Sequence, residues 1–317
     1  MDSSLAHLLL PDGGLLQSEG WAAVLRSEGH QSVVRSGPGF CYIYELRSSP
    51  FGSYLYIPRG PSRMLPEAIV PCVADILSEA ARYRALYVRI EPSTDSALEQ
   101  LRSAFHHSVV EALYSVQPKL IGVLPLSGTV QEVQKSFHEK TRYNTRLAER
   151  KGVTCEAGSA SDLPEFYRLL QATGSRKSLR THPIEHYQAI LETLPGACLR
   201  LARYQGAILA AYLMVYPGPH GTTAYYLHGG TSSSERSVMA PHVLMSHCIA
   251  EALTLGATAL DFGGMSSDPE SPWAGITRFK RGFGALEVAL PGSYDVVLQS
   301  LRYQLYRSAL AVRLRLR

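Results

Sequence analysis

The chain has 317 residues, 45 % apolar and 18 % charged, with a formal net charge of +4. That length holds one large domain or two ordinary ones, each with its own core, and the composition excludes a disordered or fibrous chain. The charge permits an anionic partner without demanding one, and no apolar run reaches the roughly 20 residues of a membrane span.

Leu8-Leu9-Leu10 has no basic flank and does not make a secretory signal. Cys41, Cys72, Cys155, Cys198 and Cys248 stand singly, the pattern of reduced core thiols in a cytoplasmic protein. Gln17-Ser18-Glu19-Gly20-Trp21 opens a helix that turns Trp21, Val24 and Leu25 inward. Strands are expected at Ser32–Arg35, Phe40–Leu46 and Tyr54–Ile57. The last runs into the rigid turn Pro58-Arg59-Gly60-Pro61, where an arginine at a strand end is either a ligand contact or a solvated turn residue. Leu65 to Tyr83 has helical spacing, with Ile69, Val73, Ile76, Leu77 and Ala80 on one face. A strand from Ala85 through Tyr87 ends on Glu91 before Pro92, and a helix at Asp95–Phe105 and a strand at Val109–Val116 follow. Gln117-Pro118-Lys119 is the expected domain junction.

After a strand at Leu120–Leu126, Ser127-Gly128-Thr129 begins a helix expected to run to Lys151, with Val133, Phe137 and Leu147 inward. His138, Arg142, Arg146 and Arg150 recur every fourth residue, joined by Lys135, Lys140 and Lys151. Such a stripe either tracks a phosphate backbone or is a solvated face paired with Glu132, Glu139 and Glu149. Helices are expected from Asp162-Leu-Pro164-Glu165 to Ala172 and from His182-Pro183 to Leu194. His182, Glu185 and His186 spell an inverted zinc-protease pattern, but they sit in a Pro-started first turn with no clear third ligand. They read instead as polar residues at a helix entrance touching substrate.

Strands at Cys198–Tyr204, Ile208–Tyr216 and Thr222–Leu227 form a meander, with Pro217-Gly218-Pro219 as one of its turns, and His228-Gly229-Gly230 closes the third strand. A helix at Ser237–Leu255 and a strand at Ala257–Phe262 complete the half. That strand ends on Gly263-Gly264, an exposed loop follows through Ser266 to Pro272, and Phe279-Lys280-Arg281-Gly282-Phe283-Gly284 then sets a cation between two rings. Chemistry is expected here. Leu298 to Arg317 mixes leucines with arginines, the pattern of a membrane-surface segment or of a docked terminal helix with a basic tail.

The element order strand–strand–strand–helix–strand, after two helices, is the plan of an N-acetyltransferase-like (GNAT) fold, α+β with mixed sheets, and the first half repeats it loosely. Several segments together resemble the FemABX family: Gln17-Ser18-Glu19-Gly20-Trp21, Tyr56-Ile-Pro-Arg-Gly-Pro61, Val88-Arg-Ile-Glu-Pro92, Val116-Gln-Pro-Lys119, Lys140 to Gly152, Met239-Ala-Pro241, Leu260-Asp-Phe-Gly-Gly264 and Phe279-Lys280. The resemblance runs in order through nearly the whole chain. It implies tandem GNAT-like domains, 1–117 with about 292–317 on the acceptor side and 118–291 carrying the transfer site. It also implies no long helical arm, because Gly174–Arg180 leaves no room for one.

The family moves an amino acid from aminoacyl-tRNA to an amine of a muramyl-peptide precursor, and some relatives modify peptidyl antibiotics. The resemblance thus implies aminoacyl-tRNA as co-substrate, no further cofactor, no metal and no protein partner. Lys280 is expected to stabilise the oxyanion or clamp the aminoacyl end, with Phe279 packed beneath it and His228 at the reacting centre. Arg26, Arg59, Gly60, Tyr87, Glu91, Arg180, His182, Gly263 and Gly264 fall on the acceptor side, and Lys140, Arg142, Arg146, Arg150 and Arg281 on the tRNA side. Leu25, His182 and His228 depart from the lysine, arginine and tyrosine that well-known members carry, which favours a lipid-linked or antibiotic acceptor over a soluble UDP-linked one. Two rivals stay open: a CoA-dependent N-acyltransferase, against which Ser232 to Ala240 lacks a glycine cradle and carries Glu235, and a non-catalytic RNA-binding protein.

Overall fold

The computed structural model describes residues 14–61, 63–176, 180–217 and 222–316. The Leu8–Leu10 run, Gly218 and Pro219 of the expected turn and the Arg317 end lie outside them. The chain divides into two compact units, one built from the chain up to Lys119 together with Ala289 onward, the other from Leu120–Val288.

In the first unit the strands run in the order Gln31–Gly37, Phe40–Ser49, Gly52–Ile57, Tyr87–Ile90, Tyr294–Val297, Ser108–Glu111, with Arg63–Met64 beside Phe40–Ser49. The helix Ile69–Arg82 presents Cys72, Val73, Ile76 and Ala80 to this sheet, the face its sequence spacing marked, and Asp95–Phe105 closes the same core with Leu101 and Phe105. Thr94 caps the second helix by accepting the Ala97 amide, which places its start at the expected residue.

The last strand of this sheet to appear in the chain is inserted next to its edge, between Tyr87–Ile90 and Ser108–Glu111. Tyr294–Val297 pairs antiparallel with both Tyr87–Ile90 and Ser108–Glu111, which places Asp295 opposite Arg89. The two side chains are buried and joined twice, Nε to Oδ1 at 2.7 Å and Nη2 to Oδ2 at 2.9 Å. Tyr303 donates a third bond to Asp295 at 2.8 Å, and the Arg89 guanidinium lies 4.8 Å from the Tyr114 ring centre. Tyr303 and Tyr306 pack the helix Ser300–Arg315 onto Leu86 and Tyr87.

In the second unit the order is Leu286–Ala289, Leu120–Pro125, Ala259–Gly264, Thr223–Thr231, Ala207–Val215, Ala197–Tyr204, Thr154–Ala157. Thr223–Thr231 and Ala259–Gly264 run parallel, through three residue pairs, Thr223–Ala259 to Tyr225–Asp261. The helix Ala240–Thr254 connects them and is buried along much of its length, which explains its apolar character on nearly all sides. Gly229 and Gly230 extend the third strand beyond the expected Leu227. A Cβ on Gly230 would stand 2.4 Å from the Leu170 amide, so this glycine lets the helix Leu163–Arg176 lie against the strand.

Two readings are corrected. The single helix expected from Thr129 to Lys151 is two helices, Val130–Lys135 and Glu139–Arg150. Thr129 and Glu132 form a capping box at the first, and His138 caps the second by accepting the Lys140 amide. Phe137, between them, turns into the core against Phe283. The Phe279–Gly284 run does not set a cation between two rings: Phe279 and Phe283 pack on each other at 5.0 Å, and Lys280 reaches from the helix Ala274–Gly282 to the Gly264 carbonyl. Among the described residues the longest helix has 16 residues, and none is long and apolar enough to cross a membrane.

Removing one member of the Arg89–Asp295 pair leaves the other buried and uncompensated. Arg89→Met should lower the stability of the first unit by about 3–5 kcal/mol, while Arg89→Met with Asp295→Leu should recover most of it. Equilibrium urea denaturation of the wild type and the two variants checks this; a double variant no more stable than Arg89→Met would show that the pair is not the dominant tie.

Candidate active site

The geometry of the candidate site follows from where the parallel ladder between Thr223–Thr231 and Ala259–Gly264 stops. Beyond Tyr225 and Asp261 the ladder between the two strands ends, and the next residues of both, Tyr226 to Gly229 and Phe262 to Gly264, line a cavity of about 270 Å³. Asp261 Oδ1 accepts the Gly263 amide at 2.6 Å, at the point where this strand's pairing with Leu120–Pro125 shifts register. Gly263 has φ 71, with nothing within 4 Å of an added Cβ, so glycine is required there by conformation rather than by space.

The helix Ala274–Gly282 supplies another wall. Trp273, Ile276 and Lys280 lie on one face of it and line the cavity. Thr277 accepts the Ser266 amide at 3.0 Å and ties the start of the preceding loop to the helix. Lys280 is only 4 % exposed, and its Nζ donates to the Gly264 carbonyl at 2.6 Å. The buried Lys280 Nζ is thereby pinned to the end of the strand that makes the cavity floor.

Opposite elements bring the histidines. His182 and His186, at the entrance and first turn of Ile184–Thr193, stack with ring centres 4.2 Å apart, and His228 stands 6.2 Å and 6.3 Å from them. Tyr187 is buried edge-on to His228 at 5.0 Å, and its hydroxyl accepts the His182 backbone amide at 3.0 Å. The half-buried His228 has its pKa pushed down to about 3, by desolvation first and then by His186 and His182, so it is neutral at physiological pH. Among the described residues no group of three or more His, Cys, Asp or Glu has the geometry to hold a metal ion.

Of the expected site residues, Lys280, His228, Arg180, His182, Gly263 and Gly264 line this one cavity. Phe279 does not: its ring meets Phe283 at 5.0 Å and His242 at 5.5 Å, so it anchors the helix that carries Lys280. In the first unit Tyr87 is corrected to a core residue, fully buried, stacked on Tyr54 at 4.7 Å and donating to the Tyr306 hydroxyl. Glu91 is corrected likewise. Its buried carboxylate accepts from Tyr56, Ser293 and the Val116 and Gln117 amides, so it fastens the chain before the junction. Arg59 reaches the Pro118 carbonyl at 2.9 Å, and Gly60 leaves room for Gln17, whose side chain bonds Ile43 and Pro58. Arg26 is exposed at the end of Glu19–Ser27.

On Glu139–Arg150 the inward face is Thr141, Asn144, Thr145 and Ala148, while Lys140, Arg146 and Arg150 are exposed. Among the described residues none of these three is ion-paired to a carboxylate, and the Arg150 guanidinium lies 6.0 Å from the Tyr143 ring centre. Arg142 turns back to the Phe137 and Lys135 carbonyls, and Arg281 is paired with Glu287. Tyr187, Trp273 and Ile276 went unnoticed in the sequence. The 273–276–280 spacing was the available signal for the last two, once a helix is recognised there.

The FemAB family model matches residues 10–205 and 200–310. Lipid II:glycine glycyltransferases of Staphylococcus epidermidis and Staphylococcus aureus are each 23 % identical to the chain, over 93 % of it and 90 % of their own lengths. The aligned spans, 383 and 385 positions, exceed the chain's own length, so these relatives carry inserted residues that it lacks. Among solved structures, one of FemX superposes with a TM-score of 0.83 at 21 % identity, over 96 % of this chain and 97 % of that one. The structure of L-PGS from Bacillus licheniformis gives 0.54 at 14 % identity, over 89 % and 92 %. With both units in the family's order and its model matched over nearly the full length, the chain belongs to the FemAB family.

Proposed function

We propose that the protein is an aminoacyltransferase that joins an amino acid, carried as its ester on tRNA, to an amine of a lipid-linked peptidoglycan precursor at the cytoplasmic face of the membrane. The observation that carries this reading is the cavity in which the buried Lys280 side chain, the diglycine strand end and the neutral His228 converge. The lipid II named for the curated relatives supports the acceptor class, and the same chemistry on a peptidyl antibiotic is the second acceptor to test.

Ester aminolysis needs a neutral amine, a stabilised oxyanion and a proton for the leaving ribose oxygen. A buried Lys280 ammonium disfavours a second cation beside it, so it lowers the pKa of the incoming amine and favours the nucleophilic form. Neutral His228 adds no opposing charge. As the nitrogen–carbonyl bond forms, the ammonium stabilises the oxyanion. The bond between the acyl carbon and the ribose oxygen then breaks, and the proton lost by the amine ends on that ribose oxygen. No further cofactor enters this scheme. The exposed Lys140, Arg146 and Arg150 would hold the tRNA backbone, and Glu235, lining a separate cavity of about 190 Å³ with Arg236 and Ser232, is a poor neighbour for the pyrophosphate of CoA.

Lys280→Met should lower transfer about 10²–10³-fold, the usual loss for one oxyanion donor, and move the rising limb of the pH–rate profile to higher pH. Its melting temperature should fall only modestly, because the nearly isosteric side chain keeps the packing while the bond to the Gly264 carbonyl is lost. Unchanged transfer from charged tRNA would sink the mechanism, and consumption of acetyl-CoA in its place would favour the N-acyltransferase reading. Lys140→Ala with Arg146→Ala and Arg150→Ala should weaken tRNA binding with little effect on kcat, and reduce the log–log salt slope by about 2 to 3. An unchanged slope in a binding titration would remove this helix from the tRNA interface.

A further inference from the structure

We propose that the outward face of the C-terminal helix Ser300–Arg315 docks onto an anionic lipid membrane. The helix uses one side to bind its own unit, through Tyr303, Tyr306 and Leu310. Its other side is also apolar. Leu301 is 80 % exposed, Leu305 63 %, Val312 58 % and Leu316, just past the helix end, 83 %. At 100° per residue these four fall within an arc of about 60°, on the side away from the buried tyrosines. Four large aliphatic side chains aligned on one exposed helix face are not the scattered singletons of an ordinary surface.

The charge pattern selects the occupant. From Ser300 to Leu316 there is no Asp or Glu, while Arg302, Arg307, Arg313 and Arg315 are present. Arg302 donates to the Phe51 carbonyl and Arg307 to the Glu111 carbonyl, both on their own unit. Arg313 and Arg315 are exposed and lie on opposite flanks of the aliphatic stripe. A second copy of the same face would bring like charges together. A nucleic acid would meet the arginines but have no use for the stripe. An anionic bilayer satisfies both, taking the aliphatic side chains into the headgroup boundary and the arginines among the phosphates.

The purpose, though not the geometry, rests on the lipid-linked acceptor: a helix lying on the membrane would hold the enzyme where that acceptor is. The test uses the full-length protein and vesicles of phosphatidylglycerol with phosphatidylcholine, holding neither precursor nor tRNA, in a sedimentation assay. Wild type should partition onto these vesicles and much less onto pure phosphatidylcholine. Arg313→Gln with Arg315→Gln should lower the partition about 25-fold, at roughly fivefold per arginine. Leu301→Ser with Leu305→Ser and Leu316→Ser should lower it at both low and high salt, with an unchanged circular-dichroism melt because all three side chains are exposed. Equal partition of wild type and both variants overturns the proposal. So does a loss of self-association, or of tRNA binding, in the variants without vesicle binding by wild type. Lost partition with intact transfer to a soluble acceptor leaves the cavity reading standing; intact partition with no transfer does the reverse.

Discussion

A lysine ammonium out of water has to be held by something, and in the second unit the Gly264 carbonyl holds it. Much of the candidate site depends on that bond. It joins the helix Ala274–Gly282 to the end of Ala259–Gly264, and so fixes one cavity wall against its floor. Phe279 and Phe283, packed against each other and His242, secure the same helix from behind, and Thr277 ties the intervening loop to it. The charge is therefore placed before any substrate arrives, which is the condition for electrostatic stabilisation without reorganisation.

The cavity itself is a consequence of topology. One short parallel ladder stops after three residue pairs, and the two strand ends beyond it supply backbone and glycine to a space that no side chain fills. What distinguishes this chain is the lining: Tyr187 orients His182 and His228, and burial keeps His228 neutral. In the first unit, by contrast, Tyr87 and Glu91, which looked like binding groups, are internal to the fold. Glu91 and the Arg89–Asp295 pair satisfy their charges within the fold, and they fasten segments that are distant in sequence.

Local patterning carried most of the architecture. Asp95–Phe105 has a threonine cap and a clear apolar face, and its bounds could be read directly. The second unit's meander is long enough for its strands to be seen. Elements without local signal were not legible: Tyr294–Val297 has four residues and owes its place to long-range pairing, and Thr154–Ala157 and Leu286–Ala289 are equally short edge strands. Ala274–Gly282 was hidden by its polar loop and by the glycine at its end. The break at Ser136–His138 was hidden by a basic repeat that continues in sequence across two separate helices. For the site, motif order located Lys280, Gly263 and Gly264, but whether a tyrosine or glutamate faces a ligand or the core is a matter of burial, which Tyr87 and Glu91 settle only in three dimensions.

The most direct test is single-turnover transfer from a pool of charged tRNAs, offered in parallel to lipid-linked muramyl-peptide precursor and to its UDP-linked counterpart, with mass detection of the product. The expected product is the lipid-linked peptide heavier by an aminoacyl residue, formed only when the tRNA is charged. Absence of any aminoacylated product with either acceptor, from a protein that binds charged tRNA, would contradict the assignment of the Lys280 cavity as a transfer site.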